Sequence, residues 1–231
     1  KYLTHSKLIN LPQLGKLSLS FFMKKGRLTF ETASFFYEQI FLNFEFMKIS
    51  IKNMVCNRCI SAVESIFDDL KIEVDQISLG EVETKNQISD KELETLNLKL
   101  KSTGFEILED SSKKQIEKIK TLMIKKIAEE DLGDDFILSE FLSSELHRDY
   151  SSISKLFSQN ENVTLEQYYI LQKIEKVKEL LLYKEFNLTE ISLKLGYKSV
   201  QHLSNQFKKT TGFSPTQFLN SKEKRIALDK V

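Results

Sequence analysis

Proline and glycine are scarce in this sequence, with 2 Pro and 7 Gly among 231 residues. A chain so poor in turn formers argues against a loop-rich or all-β fold and in favour of helix. Cysteine is nearly absent as well. Two Cys in a chain of this length make no disulfide framework, so a reducing cytoplasm is the expected compartment. No apolar run reaches the ~18 residues of a membrane span, so no membrane partner is expected. The three histidines, His5, His147 and His202, are scattered, and there is no glycine-rich phosphate loop. No catalytic constellation emerges, and an enzyme is not expected. Net charge is only +1, which by itself speaks neither for nor against nucleic acid. What is present is a chain 41% hydrophobic and 29% charged, long enough for one or two domains with their own cores.

Residues 1–46 stay unassigned. Phe21, Phe22, Phe30, Phe35, Phe36, Phe41, Phe44 and Phe46 crowd a short stretch without helical or strand period. Lys24, Lys25 and Arg27 follow its apolar patch, the wrong order for a secretory signal. The chain starts at Lys1, and a well-patterned domain opens at Met47, so the stretch is expected to be upstream sequence rather than native protein. Membrane or partner contact is the alternative.

Residues 47–109 alternate strands and helices. Lys48 to Lys52 alternates polar and apolar, as a half-buried strand does. Asn53 to Cys59 reads as a loop. Ile60 to Leu70 is helical, with Val63, Ile66, Phe67 and Leu70 on one face. Val74, Ile77, Leu79 and Val82 mark two extended segments about a turn near Gly80. A second helix over 90–101 turns Leu93, Leu96 and Leu100 inward and ends at Gly104, before a last strand over 105–108. The order βαββαβ is that of a ferredoxin-like sandwich.

With Met54-x-Cys56-x-x-Cys59 at the first strand–helix junction, this order resembles heavy-metal-associated domains. The resemblance implies that Cys56 and Cys59 bind a soft metal ion, Cu(I) or Zn. Thiolates beside a helix N-terminus suit that chemistry. Asn53 stands where that family has glycine. Three readings stay open: a metal site, an inert structural loop and a redox pair. A closed four-ligand zinc site would require a second chain.

Residues 110–133 read as a helical linker whose stripe of Ile116, Ile119, Met123 and Ile127 could pair with the same stripe in a second copy, though packing on its own domain is the commoner outcome for so short a run. The helical half is expected over 134–231. Its first helix runs over 137–146, with Phe141 and Leu142 inward, and Asp149 caps the next, whose inner face is Ile153, Leu156 and Phe157. Thr164 and Gln167 form a capping box that opens a long helix to about Tyr183, with Leu171, Ile174, Lys178, Leu181 and Leu182 at its inner spacing. Asn187 and Glu190 open a short helix that Gly196 stops. A further helix from about Ser199 carries Leu203 and Phe207 on its inner face and Gln201, His202, Asn205 and Lys208 on its outer face. Gly212 and Pro215 end it.

The pattern Ile191, Leu195-Gly196-Tyr197, Leu203, Phe207-Lys208-Lys209, Gly212, Ser214-Pro215 and Phe218 closely resembles the C-terminal signature of AraC/XylS-type transcription regulators. The resemblance covers Ile137 to Phe218. It implies two helix-turn-helix units joined by the long helix, and double-stranded DNA as partner, with RNA polymerase and a second copy of the chain as further partners. Carried onto matching positions, it implies base contacts from Ser151, Ser154 and Lys155 in the first unit and from Val200, Gln201 and Asn205 in the second. Ser199, His202, Ser204, Lys208 and Lys209 would meet phosphates. Lys173 stands where that family has arginine and implies a looser phosphate contact. From Asp134 to Val231 there are 14 Lys+Arg against 13 Asp+Glu, so affinity must rest on local patches, Lys222, Lys224 and Arg225 included.

The fold class expected is therefore α+β, a small ferredoxin-like domain followed by an all-α double helix-turn-helix DNA-binding domain. The function expected is a sequence-specific, metal-responsive transcription regulator. The rival is a metal-handling protein whose helical half mediates protein contact.

Overall fold

Strand β1 (Met47–Lys52) buries Ile49 and Ile51 and exposes Lys52, the alternation its sequence dictates. The computed structural model describes residues 46–133, 135–220, 225–226 and 228–230. The phenylalanine-rich stretch 1–45, Asp134, Lys222 and Lys224 lie outside the described residues, so the expectations placed on them are left there. The elements that follow β1 are α1 (Asn57–Asp69), β2 (Val74–Ser78), β3 (Glu81–Thr84), α2 (Asp90–Ser102) and β4 (Glu106–Leu108). The sheet order is β2-β3-β1-β4, and every neighbouring pair is antiparallel. Ile49 faces Val82 across the β1–β3 pair. Val63, Ile66 and Phe67 of α1 and Leu96 and Leu100 of α2 close over these residues in one apolar core.

One boundary differs from the sequence reading. Cys59 is not in a loop, because α1 begins at Asn57 with Cys56 as its N-cap residue. The β2–β3 turn falls at Gly80, whose φ of +83° suits glycine. A Cβ there would lie 3.1 Å from the Thr121 hydroxyl, so the turn sits close against the next helix.

That helix, α3 (Ser111–Ala128), starts where the Asp110 carboxylate accepts the Lys113 N–H at 2.9 Å. Of the two outcomes open to its stripe, pairing with a second copy or packing on its own domain, the second is found. Ile116, Ile119 and Met123 pack with Leu142, Ile153, Phe157 and Tyr168, while Ile127 joins Leu132, Ile174 and Val177. The apolar face is fully used by its own fold, the usual fate of a single amphipathic helix.

The remaining helices are α4 (Leu138–Leu146), α5 (Tyr150–Asn160), α6 (Leu165–Tyr183), α7 (Leu188–Lys194), α8 (Val200–Thr211) and α9 (Pro215–Asn220), with a 3₁₀ turn at Leu228–Lys230. Both expected capping boxes form, Thr164 with Gln167 and Asn187 with Glu190. Asp149 caps α5 by backbone position only, since its side chain makes no cap hydrogen bond. Pro215 does more than end α8: it opens α9, where Ser214 and Gln217 bond each other's backbone N–H. Leu182, expected inward, is exposed, and Val177 and Leu180 fill the core instead. All described elements belong to one compact unit.

Candidate nucleic-acid interface

Leu203 and Phe207 are fully buried, and Phe207 meets Phe218 of α9 edge-on with ring centroids 5.6 Å apart. Burying such side chains is worth about 1.5–3 kcal/mol each, which fixes the rotation of α8 about its axis. The opposite face is therefore held outward. On it Gln201, His202, Asn205, Lys208 and Lys209 are exposed, and Val200 and Ser204 are half-buried. The Ser199 hydroxyl accepts the His202 N–H at 3.1 Å and caps the helix. Gln201 Nε2 donates to Asn205 Oδ1 at 3.0 Å, one turn apart. That bond leaves the Gln201 carbonyl oxygen and the Asn205 amide hydrogens for an outside partner. His202 meets the Tyr197 ring edge-on at 5.4 Å, and the Tyr197 hydroxyl donates to Gln206 at 2.8 Å, locking the turn onto α8.

Helix α5 repeats the arrangement. Ile153 and Phe157 are buried, Ser151 and Lys155 are exposed, and Ser154 is half-buried. The Tyr150 hydroxyl donates to Glu166 in the first turn of α6, tying the two helices together. Burial and that carboxylate push the Tyr150 phenol well above its ordinary range, so it remains the donor.

The cysteine turn is built with similar economy. Cys56 Sγ lies 3.3 Å from Cys59 Sγ, and the Cys59 N–H donates to the Cys56 carbonyl at 2.9 Å. Burial raises the Cys56 thiol, but hydrogen bonds from Cys59 and Arg58 and the Arg58 charge outweigh it, leaving Cys56 below its ordinary value. Burial pushes Cys59 up, and the neighbouring Cys56 adds to that. Met54 is in the core. Asn53, at φ +71°, donates its backbone N–H to the Glu117 carboxylate of α3 at 2.9 Å and its side-chain amide to the Gly104 carbonyl. Glu117 is 7% exposed, and its burial raises the carboxyl pKa. The sequence reading missed Glu117. Its signal was a carboxylate set directly beside Ile116 on an apolar stripe.

A helix-turn-helix domain family matches residues 142–221. The chain is 25% identical over 105 residues to "Probable transcriptional regulator LumQ" of Photobacterium leiognathi, covering 46% of this chain and 42% of that protein. It thus spans under half the length of that relative. Solved structures similar to it include the C-terminal domain of AraT, a response regulator from Geobacillus stearothermophilus (23% identity, 48% of this chain, 90% of that chain, TM-score 0.40). Another is the C-terminal domain of the two-component response regulator yesN from Fusobacterium nucleatum (29% identity, 44% of this chain, 97% of that chain, TM-score 0.38). Residues 142–221 are a helix-turn-helix domain.

Charge in the helix-turn-helix half is sorted more sharply than its near-neutral count implies. Lys176 pairs with Glu130 and Glu179, Lys178 with Glu175, Lys194 with Glu130, and Arg225 with Glu179. Lys155 on α5 and Lys198, Lys208 and Lys209 at either end of α8 have no carboxylate partner among the described residues.

Lys173 departs from expectation. It is 8% exposed, and its ammonium lies 3.9 Å from the Tyr197 ring centroid and 5.6 Å from that of Tyr169. A phosphate contact needs an outward ammonium, so this lysine is reassigned to the domain interior. Burial lowers its pKa from 10.5 to about 8. A lysine with a lower folded pKa binds fewer protons folded than unfolded, so stability rises with pH between the two values. Wild type should gain roughly 2 kcal/mol over Lys173→Met between pH 7 and pH 10. Urea unfolding of both proteins across that range checks it, and a pH-independent difference would contradict the burial argument.

Proposed function

We propose that this protein binds specific duplex DNA through α5 and α8 and regulates transcription from the cytoplasm, with RNA polymerase and a second copy of itself as further partners. The observation that carries the reading is the outward face of α8. Its apolar stripe is consumed by the core, and its free groups are amides and unpaired lysines. Gln201 and Asn205 offer the donor and acceptor pattern that reads adenine, and Val200 can touch a thymine methyl. Ser151, Ser154 and Lys155 take the same role on α5. Lys208, Lys209, His202 and Ser204 contact phosphates, and the Ser199 cap presents the helix N-terminus. Helix α6, 19 residues long, spans roughly 28 Å and separates the two units on a scale comparable to one turn of duplex. An electrophoretic shift with duplex fragments from the protein's own genomic neighbourhood tests the reading. A shift that excess unrelated DNA fails to compete away supports it, and binding that unrelated DNA abolishes argues against sequence reading.

The strand order β2-β3-β1-β4 with two covering helices supports a ferredoxin-like reading of the sheet module, and the cysteine turn supports soft-metal responsiveness. Among the described residues no group of three or more His, Cys, Asp or Glu is placed to hold a metal. The donor set therefore fits two-coordinate Cu(I) better than tetrahedral zinc. Cys56 and Cys59 would hold the ion, which supplies a charge and a cross-link to the turn. The Asn53–Glu117 bond would carry any shift of that turn to α3. Reduced protein titrated with Cu(I) should take one ion, and the Cys56→Ser/Cys59→Ser variant should take none tightly. Equal weak uptake by both would remove the metal site, and tight uptake that leaves DNA affinity unchanged would remove its regulatory role.

A further inference from the structure

A cleft of about 770 Å³ opens between the sheet module and helices α3 and α6. Its size is that of a pocket for a small organic molecule rather than a single ion. Part of its lining is apolar: Ile60, Ile77 and Leu79 from the sheet module and Ile124 and Ile127 from α3. The rest is polar, and its charge is unbalanced. Of the two lining acids, Glu129 is bound by Lys126 at 2.7 Å, and Glu179 is shared by Lys176 and Arg225. Both carboxylates are thus already satisfied. Of the lining cations only Lys176 is fully paired, with Glu130 and Glu179. Arg58 and Lys125 are exposed and have no carboxylate partner among the described residues. Arg225 uses Nη2 on Glu179, while its Nε is buried without an acceptor among the described residues. A buried donor left unpaired costs about 1–3 kcal/mol, a cost that an anionic acceptor would remove.

We propose that this cleft binds a small organic carboxylate with an apolar body, its head held by Arg58, Lys125 and Arg225 and its body against Ile60, Ile77, Leu79 and Ile124. An apolar neutral molecule would leave the three donors unmet, and a cation would be repelled by them. The two walls belong to different modules, so an occupant bridges the sheet to α3 and to α6, the helix that links α5 to α8. Binding is read without DNA, so the inference stands or falls apart from the DNA-binding reading.

The full chain is titrated with decanoate below its micellar range, with 1-decanol and decylamine as matched controls, by calorimetry in metal-free reducing buffer. Decanoate should bind with one site per chain, at least about tenfold more tightly than either control, since a charge-assisted hydrogen bond is worth about 1.5–3 kcal/mol. Arg58→Gln/Lys125→Gln changes only exposed side chains and should weaken decanoate about tenfold while leaving decanol unchanged. Ala128→Phe, at an exposed wall position, should block both. Cys56→Ser/Cys59→Ser should bind decanoate like wild type, which separates this site from the metal reading. Decanol binding as tightly as decanoate, no effect of the double Gln variant, or no decanoate binding at all would each overturn the proposal.

Discussion

Gly196→Ala should destabilise the protein by about 3 kcal/mol, the sum of a left-handed alanine and a backbone collision. Gly196 has φ +61°, and an added Cβ would lie 2.8 Å from both the Leu132 and Gly133 carbonyl oxygens. These are backbone atoms and cannot rotate aside. They are held there because the Leu132 N–H donates to the Lys194 carbonyl at 3.0 Å, docking the segment after α3 onto the α7–α8 turn. Gly212→Ala provides the comparison. It has φ +82° but nothing within 4 Å of the added Cβ, so it should cost only about 1 kcal/mol. Urea unfolding midpoints of the two variants decide the matter. Equal losses would mean that the contact between the turn and residues 132–133 contributes nothing.

The second large effect concerns recognition. Gln201→Ala and Asn205→Ala should each weaken the best duplex site by about 1–3 kcal/mol while barely changing affinity for unrelated DNA. Both side chains are exposed and outside the core, so stability should not move. Because the two amides bond each other, removing one frees the other, and the double variant should lose less than the sum. Lys208→Ala should act differently, weakening all sequences alike and flattening the salt dependence. Anisotropy titrations at two salt concentrations separate the outcomes. Uniform loss from Gln201→Ala would reassign that residue to the phosphates.

Much of this was legible in the sequence because it depends on short-range rules. Capping boxes at Thr164 and Asn187 need only neighbours three residues apart, and both form. The glycine turn at Gly196 and the inward Leu203 and Phe207 follow from backbone conformation and helical period. The order of strands and helices was legible for the same reason. Partners distant in sequence were not. Lys173 reads as one more surface lysine until Tyr169 and Tyr197 close over it. The stripe of α3 is amphipathic whether it meets a second copy or its own chain, and only the packing of Phe157 and Tyr168 against it decides. Glu117 meets Asn53, 64 residues away, a contact no local pattern encodes. Likewise, the near-neutral count hid a sorting of charge, because pairing of Glu130, Glu175 and Glu179 depends on the folded surface.

The central claim is that α5 and α8 together read one face of a duplex. A hydroxyl-radical footprint of the full chain on its best genomic fragment tests it most directly. Two protected patches on one face of the DNA, centred about 10 base pairs apart, are the expected result, with Gln201→Ala/Asn205→Ala losing one and keeping the other. A single patch, or protection that the double variant leaves whole, would contradict the account.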